Sequence, residues 1–277
     1  MKKLHNKTAI VSGSGRGIGR EIALKLASEG ANIIINDMDE PAAMEAVLAI
    51  EDRGGKAVAC VGDVTQDDFA DRFVASAIDN FGGLDIIVNN AGYTWDNVIH
   101  KMSDEQWDAI MDVHAKAPFR IIRAASEFIR TTAKSEIDAH GCATARKVVN
   151  ISSISGLYGN AGQINYAGAK AALIGMTKTL AKEWGRYNVN VNCVAFGLIE
   201  TRMTKALEDK GDNHIDIAGR EIKTGMQPEM IETIKRMTPL GRAGTTVDAA
   251  NAVYLMCSPE SDFITGQVLE ASGGLVF

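Results

Sequence analysis

The sequence predicts one doubly wound, all-parallel α/β sheet of the Rossmann type, a single domain over residues 1–277 with helices on both faces. Three observations predict it. Short β-branched runs alternate with longer helical patterns, the runs are apolar at nearly every position, and a glycine cluster joins the first run to the first helix. Strands apolar on both sides must be covered on both faces, which places helices above and below a parallel sheet. Right-handed crossovers then leave a ligand crevice at the carboxyl ends of the strands.

Thr8 to Ser12 reads as the first strand, followed by a helix from about Ile18 to Glu29. Asn32 to Asn36 holds three consecutive isoleucines and reads as a second, fully buried strand; its helix begins at Glu40, with Pro41 at the tolerated first position. Ala57 to Val61 is a third strand, and Thr65-Gln66-Asp67-Asp68 has capping-box spacing for a helix ending near Phe81. Leu84 to Val88 is a fourth strand. Ser103-Asp104-Glu105-Gln106 caps a long helix that reaches about Arg130. Thr131 to Lys147, polar and rich in small residues, is expected to be a surface excursion before the fifth strand, Val148 to Ile151. Tyr166 to Trp184 is a helix, Val189 to Ala195 a sixth strand, Thr246 to Cys257 a helix and Gln267 to Glu270 a final strand. The long connection from about 196 to 244 is expected to be a substrate lid, because long connections in compact domains tend to carry function.

Composition narrows the function classes. The formal charge is −6 with no basic stripe, which argues against nucleic acid and anionic membranes as partners. No run approaches the roughly 20 apolar residues that span a bilayer. The start, Met1 to Asn6, is basic but lacks the apolar core of a signal peptide. Cys60, Cys142, Cys193 and Cys257 are far apart and without neighbouring histidines, and read as buried free thiols in a reducing cytoplasm, with no disulfide framework or metal site.

Gly13, Gly17 and Gly19 in Ser12-Gly13-Ser14-Gly15-Arg16-Gly17-Ile18-Gly19 let a backbone come close to a pyrophosphate, over a helix N-terminus that presents free N–H groups. Asp37 ends the second strand near the position of an acid that binds an adenosine ribose; a turn aspartate, like Asp39 nearby, is the other reading. A ribose-binding carboxylate repels a 2′-phosphate by roughly 4 kcal/mol for charges about 4 Å apart at an effective dielectric near 20. Arg16 points the other way, since a basic residue in this turn can meet that phosphate. NAD rather than NADP is the expected cofactor.

Asn89-Asn90-Ala91-Gly92 follows the fourth strand, and Tyr166-Ala167-Gly168-Ala169-Lys170 opens a helix after Ser153. With the glycine turn, this ordered set resembles the short-chain dehydrogenase/reductase family, from the first strand to Gly273-Gly274. Ile151 to Asn160 and Gly162 to Tyr166 resemble its 3-oxoacyl-thioester (acyl-carrier-protein or CoA) reductases in particular. The resemblance implies that Asp63 and Val64 hold the adenine, that Asn89 and Gly92 line the cofactor groove, and that Gly197, Ile199 and Thr201 lie toward the nicotinamide. It also implies a homotetramer built through the long helices and the C-terminal segment.

Reducing a ketone requires hydride at carbon and a proton at oxygen. Tyr166 would supply that proton; an ordinary tyrosine has a pKa near 10 and is rarely ionised at neutral pH. Lys170, four residues on, shares its helical face, and its charge together with an oxidised nicotinamide would draw the phenol toward operating pH. Lys170 would also bind the nicotinamide ribose, and Ser153 would hydrogen-bond the substrate oxygen.

Two residues depart from the family pattern. His114 stands where an asparagine usually holds a water that links the lysine to solvent. Histidine can hold the same water or be an ordinary half-buried helix residue. On the first reading His114→Asn keeps most activity and shifts its pH profile. Phe196 replaces a proline before Gly197, as a wall over the nicotinamide or as filler. Trp95 and Tyr158 are candidate aromatic substrate contacts, Trp107 reads as core or interface, and Met203, Met226, Met230 and Met237 are candidates for an adaptable apolar lining.

These residues point to an oxidoreductase that interconverts a ketone and a secondary alcohol. The substrate is a 3-oxoacyl thioester on CoA or a carrier protein, or a free cyclic or aromatic alcohol. Arg202, Lys205 and Lys210 offer only a thin basic surface for a carrier protein. A cofactor-binding sensor or silent subunit is the competing class, and the intact Ser153, Tyr166 and Lys170 argue against it.

Overall fold

The computed structural model describes residues 2–205, 214–217 and 219–276. Seven strands form one all-parallel sheet: β1 (Thr8–Val11), β2 (Asn32–Ile35), β3 (Lys56–Ala59), β4 (Ile86–Asn89), β5 (Arg146–Ser153), β6 (Val189–Phe196) and, after the lid ribbon β7 (His214–Ile217) and β8 (Arg220–Lys223), β9 (Val268–Ala271). The order β3-β2-β1-β4-β5-β6-β9 reverses between β1 and β4, so a crevice opens beyond their carboxyl ends.

Alternate residues of each strand feed two cores. Ala9, Val11, Ile33, Ile35, Val149 and Val194 face α1 (Gly17–Ser28), α2 (Glu40–Glu51) and the late helix Thr246–Cys257. Ile10, Ile34, Ile87, Val148 and Val191 face the other way, against α3 (Phe69–Phe81), α4 (Asp104–Met111) and α5 (Ala117–His140). Fully buried strands with no solvent face explain the unbroken Ile33-Ile34-Ile35 run. The remaining helices are α6 (Ile154–Tyr158), α7 (Ile164–Trp184), α8 (Pro228–Met237) within the lid, and α9, the Thr246–Cys257 helix already placed.

Four expectations are corrected. Thr65 does not cap α3: its N–H is taken by Asp63 Oδ1 at 2.8 Å and its carbonyl by Arg120 at 2.8 Å, so the helix starts at Phe69. The Ser103/Gln106 capping box forms as expected, but the helix it opens is interrupted by a π-turn at Asp112–Lys116. Pro118 has no N–H for the carbonyl of His114 four residues back, which accounts for the interruption. The segment from Thr131 is not an excursion, because α5 runs on to His140. Ile129 and Ala133 keep its apolar stripe, and Gly141, at φ +79°, ends it. Arg146 then clamps the helix end to β5 through a two-pronged pair with Glu136, at 2.8 and 2.9 Å, and holds that carboxyl down to about 2. Finally, Cys60, Cys193 and Cys257 are buried free thiols, whereas Cys142 is exposed past the end of α5.

Among the described residues no helix is long and apolar enough to cross a membrane, and no cluster of His, Cys, Asp and Glu could hold a metal ion. Lys210 and the lid residues 206–213 and 218 lie outside the described residues.

Candidate active site

A cleft of about 1480 Å³ lies across the carboxyl ends of the strands. It is bounded on one side by the glycine turn and on the other by the lid. Gly13 and Gly17 adopt φ of +61° and +55°, the left-handed region that glycine enters freely. A Cβ on Gly19 would overlap the Gly13 carbonyl oxygen, whereas one on Gly17 would meet nothing within 4 Å. The turn is therefore tight beneath and open above. Three asparagine and serine side chains hold it in that shape. Asn36 Oδ1 accepts the Gly13 N–H at 3.0 Å, and Asn36 Nδ2 donates to the carbonyls of Cys60 and Gly62. Asn90 Nδ2 donates to the carbonyls of Ser12 and Gly13, and Ser12 Oγ accepts from the N–H groups of Asn90 and Ala91, each at 3.0 Å. Helix α1 begins with no side-chain cap, so its first N–H groups face the open side.

Gly13, Arg16, Gly17, Ile18, Gly19, Asp37, Asp63, Val64, Gly92, Gly197, Ile199 and Thr201 all line the cleft. Asn89 does not. Its Nδ2 donates to Asn150 Oδ1 at 2.8 Å, Asn150 Nδ2 donates to Thr177 Oγ1 at 2.9 Å, and the three form a buried network behind the groove. Arg16 pairs with Asp39 rather than reaching over the turn. Asp37 Oδ1 accepts the Asp39 N–H at 3.1 Å, and its Oδ2 lies 2.6 Å from where a Cβ on Gly15 would stand. A glycine is thus required beside the Asp37 carboxylate. A phosphate-sized space over free helix N–H groups, with a carboxylate at the end of β2, fits a dinucleotide.

The catalytic candidates meet at the deep end. Ser153 closes β5, and its Oγ accepts the Ser155 N–H at 3.1 Å, which leaves the hydroxyl proton to donate. Tyr166 lies on the first turn of α7, and Asn165 fixes that turn: its Oδ1 accepts the Tyr166 N–H at 2.8 Å while its Nδ2 donates to the carbonyls of Trp95 and Gln106. Lys170 Nζ sits 5.5 Å from the Tyr166 ring centroid and donates to the Ile151 carbonyl at 2.7 Å, with two protons to spare. Burial brings Lys170 down to about 8. Burial also pushes the Tyr166 hydroxyl up to about 12, opposed by its hydrogen bond with Ser153 and reinforced by the Asp96 charge. The chain's own groups therefore favour Tyr166 as a phenol.

His114 lies inside the π-turn, fully walled in, with its ring edge-on to Tyr166 at 5.1 Å. Gly92 leaves room for it, since a Cβ there would overlap the imidazole. Nε2 lies 2.7 Å from the Tyr93 carbonyl, so it carries the proton, and Nδ1 is a buried acceptor with no protein partner. Burial, with the Lys170 charge second, holds His114 well below its ordinary pKa. A neutral imidazole offers Nδ1 as an acceptor rather than a charge that titrates near neutrality.

Trp95 and Phe196 line the cleft, as do Met203, Met226 and Met230; Met237 does not. Tyr158 also turns away, its hydroxyl donating to Glu270 at 2.8 Å. Trp107 is half-exposed and packs near Gly168. The sequence reading passed over four contributors: Asn36, Asn165, Asp96 and Arg220. Arg220 on β8 reaches over the Trp95 ring and donates to Glu105 at 3.0 Å, which docks the ribbon on the cleft wall. An asparagine directly after three isoleucines, at a strand end beside a glycine turn, was a readable signal for Asn36; nothing local marked Arg220.

A family model described as enoyl-(acyl carrier protein) reductase matches residues 13–276. The chain is 38% identical over 273 residues to the 3-oxoacyl-(acyl-carrier-protein) reductase FabG of Chlamydia muridarum, covering 98% of each chain. Identity to the protein of the same name from Thermotoga maritima is 35% over 274 residues, covering 99% of each. A solved structure described as a gluconate dehydrogenase from Agrobacterium tumefaciens superposes with a TM-score of 0.82 at 29% identity, covering 99% of this chain and 97% of that one. One described as a short-chain alcohol dehydrogenase from Sinorhizobium meliloti gives 0.83 at 28% identity, covering 98% and 97%.

Proposed function

The chain belongs to the short-chain dehydrogenase/reductase family, and from that premise we propose that it is an NAD-dependent reductase of 3-oxoacyl thioesters, with Tyr166 as proton donor. The single observation that carries the chemistry is the convergence of Ser153, Tyr166 and Lys170 on one cleft that continues into the glycine turn. The thioester class is supported by relatives at 35–38% identity named 3-oxoacyl-(acyl-carrier-protein) reductases.

The turn N–H groups and the open space over Gly17 would hold the pyrophosphate, Asp37 the adenosine ribose, Asp63 and Val64 the adenine, and Lys170 the second ribose. When bound, the nicotinamide supplies hydride to the carbonyl carbon in reduction and accepts it in oxidation. Ser153 donates to the substrate oxygen as charge develops there, with its lone pair already held by Ser155. Tyr166, kept as a phenol, gives its proton to that oxygen. Lys170, near 8, can return a proton toward Tyr166 through the ribose hydroxyls. His114 Nδ1 offers an acceptor for a water that links Lys170 to solvent.

Asp37 supports NAD over NADP, because its charge is not matched by Arg16, which is occupied by Asp39. Trp107, Phe119 and Ile164 on the α4, α5 and α7 surfaces, and Leu255 and Phe263 near the C-terminus, are large exposed apolar side chains that support a homotetramer. Three buried thiols and the lack of any disulfide among the described residues suit a cytoplasmic protein. The Tyr93 and Trp95 wall beneath the lid ribbon favours a second reading, oxidation of a compact cyclic or aromatic secondary alcohol. Assaying acetoacetyl-CoA beside a panel of secondary alcohols separates the two: turnover of the thioester supports the first, and failure on every thioester discards it.

A further inference from the structure

We propose that Gln163 determines specificity: its one uncommitted N–H binds a second substrate oxygen, that of the thioester carbonyl next but one to the reacting ketone carbon. This role rests on the 3-oxoacyl thioester reading above. Gln163 stands at the N-cap of α7, one turn ahead of Tyr166, and lines the cleft. Its side chain is held at both ends. Nε2 donates to Asp96 Oδ2 at 2.7 Å, and Oε1 accepts from Ser155 Oγ and from Asn160 Nδ2, each at 3.0 Å. A carboxylate cannot donate, so turning the amide over would set Oε1 against Asp96 with no proton between them. A primary amide has two lone pairs to accept with and two N–H groups to donate. Here both lone pairs and one N–H are engaged, which leaves one N–H on a nitrogen that the Asp96 carboxylate fixes in place.

The same contacts set where that donor lies relative to the chemistry. Ser155 holds Ser153 Oγ through its backbone N–H at 3.1 Å and Gln163 Oε1 through its hydroxyl at 3.0 Å. A single residue therefore separates the amide from the hydroxyl that meets the ketone oxygen. The loop that carries Asp96 is stitched to the chain around Gln163 on either side. The Asn97 N–H donates to the Gly162 carbonyl at 2.9 Å, and Asn165 Nδ2 donates to the Trp95 carbonyl at 3.1 Å. The donor is thus ordered before substrate arrives, and little freedom is left to lose on binding. With its ketone oxygen at Ser153 and Tyr166, a 3-oxoacyl thioester has one further acceptor close by along its chain, the thioester carbonyl. A ketone without that oxygen excludes water from the Gln163 N–H and offers it no partner, so the site discriminates against it.

The test compares acetoacetyl-N-acetylcysteamine with its 3-oxobutyl thioether, in which CH2 replaces the thioester carbonyl. The readout is the ratio of kcat/KM for the two compounds, with the full-length protein and NADH, in wild type, Gln163→Met and Gln163→Glu. Met keeps the length without polar atoms, whereas Glu keeps an acceptor for Ser155 and Asn160 and lacks the N–H. Both variants should lower the thioester-to-thioether ratio by about tenfold, the size of one hydrogen bond. A ratio unmoved in either variant overturns the proposal, including the case in which both rates fall together because Ser153 is displaced. A second readout needs no turnover: dissociation constants of the two compounds for the NADH complex of Tyr166→Phe, with and without Gln163→Met, by ligand-detected NMR. Weaker binding of the thioester relative to the thioether when Gln163→Met is added supports the role of Gln163, and an unchanged ratio overturns it. That comparison decides even where the wild type turns over neither compound, a result that would sink the thioester reading instead.

Discussion

Removing the charge of Asp37 tests the cofactor preference. The carboxylate is half-buried at the end of β2, with Oδ1 bonded to the Asp39 N–H and Oδ2 against Gly15. Arg16, the cation of the turn, is paired with Asp39, and among the described residues no salt bridge neutralises Asp37. A 2′-phosphate about 4 Å away would meet a repulsion of roughly 4 kcal/mol at an effective dielectric near 20. Water reaching this half-open site halves that to about 2 kcal/mol, or about a 30-fold preference for NAD. Asp37→Asn keeps an acceptor for Asp39 and removes the charge, so the ratio of kcat/KM with NAD to that with NADP should fall by about 30-fold. Both ratios come from initial rates with one substrate at fixed ionic strength. Wild-type preference for NADP, or a ratio unchanged by the substitution, would refute the reasoning.

Further outcomes concern His114 and the α5 clamp. His114→Asn should keep kcat within about threefold, because both side chains offer an acceptor. His114→Leu, which offers none, should lose about tenfold in kcat at unchanged KM, the size of one hydrogen bond. Neither should move the profile between pH 6 and 8, since the imidazole is already neutral across that range. Glu136 is held down to about 2 against an ordinary carboxylate value of 4.5, so its contribution is complete above the ordinary value and is lost as pH falls toward 2. Partial solvent access at the 22% exposed Glu136 side chain discounts that contribution to about 2 kcal/mol. Glu136→Gln should therefore lower denaturant-measured stability by that amount at pH 7, and by progressively less below pH 4.

Much of this fold was legible because its signals are local and strong. Three adjacent isoleucines can only be buried on both faces, and the Ser103/Gln106 box places its helix start from two side chains. The α5 extension was misread because small polar residues from Thr131 onward hide the stripe of Ile129 and Ala133, and because Glu136 finds its partner only when β5 returns. Thr65 failed as a cap for the same reason: Arg120, which takes its carbonyl, is 55 residues away. Within the site, the glycine turn was readable from its place after the first strand, and the Ser153, Tyr166 and Lys170 set from the family resemblance. The protonation of Tyr166 was not. It depends on how deeply the folded cleft buries the phenol, which no local stretch of sequence sets.

Tyr166→Phe is the most direct test, because it deletes one hydroxyl and leaves the ring packed against His114 and Lys170. Turnover should fall by at least about a hundredfold, the usual worth of a positioned proton donor, while the dissociation constant for NAD stays within a few fold of wild type. A variant that still reduces its substrate at close to the wild-type rate would contradict the assignment of Tyr166 as the proton donor.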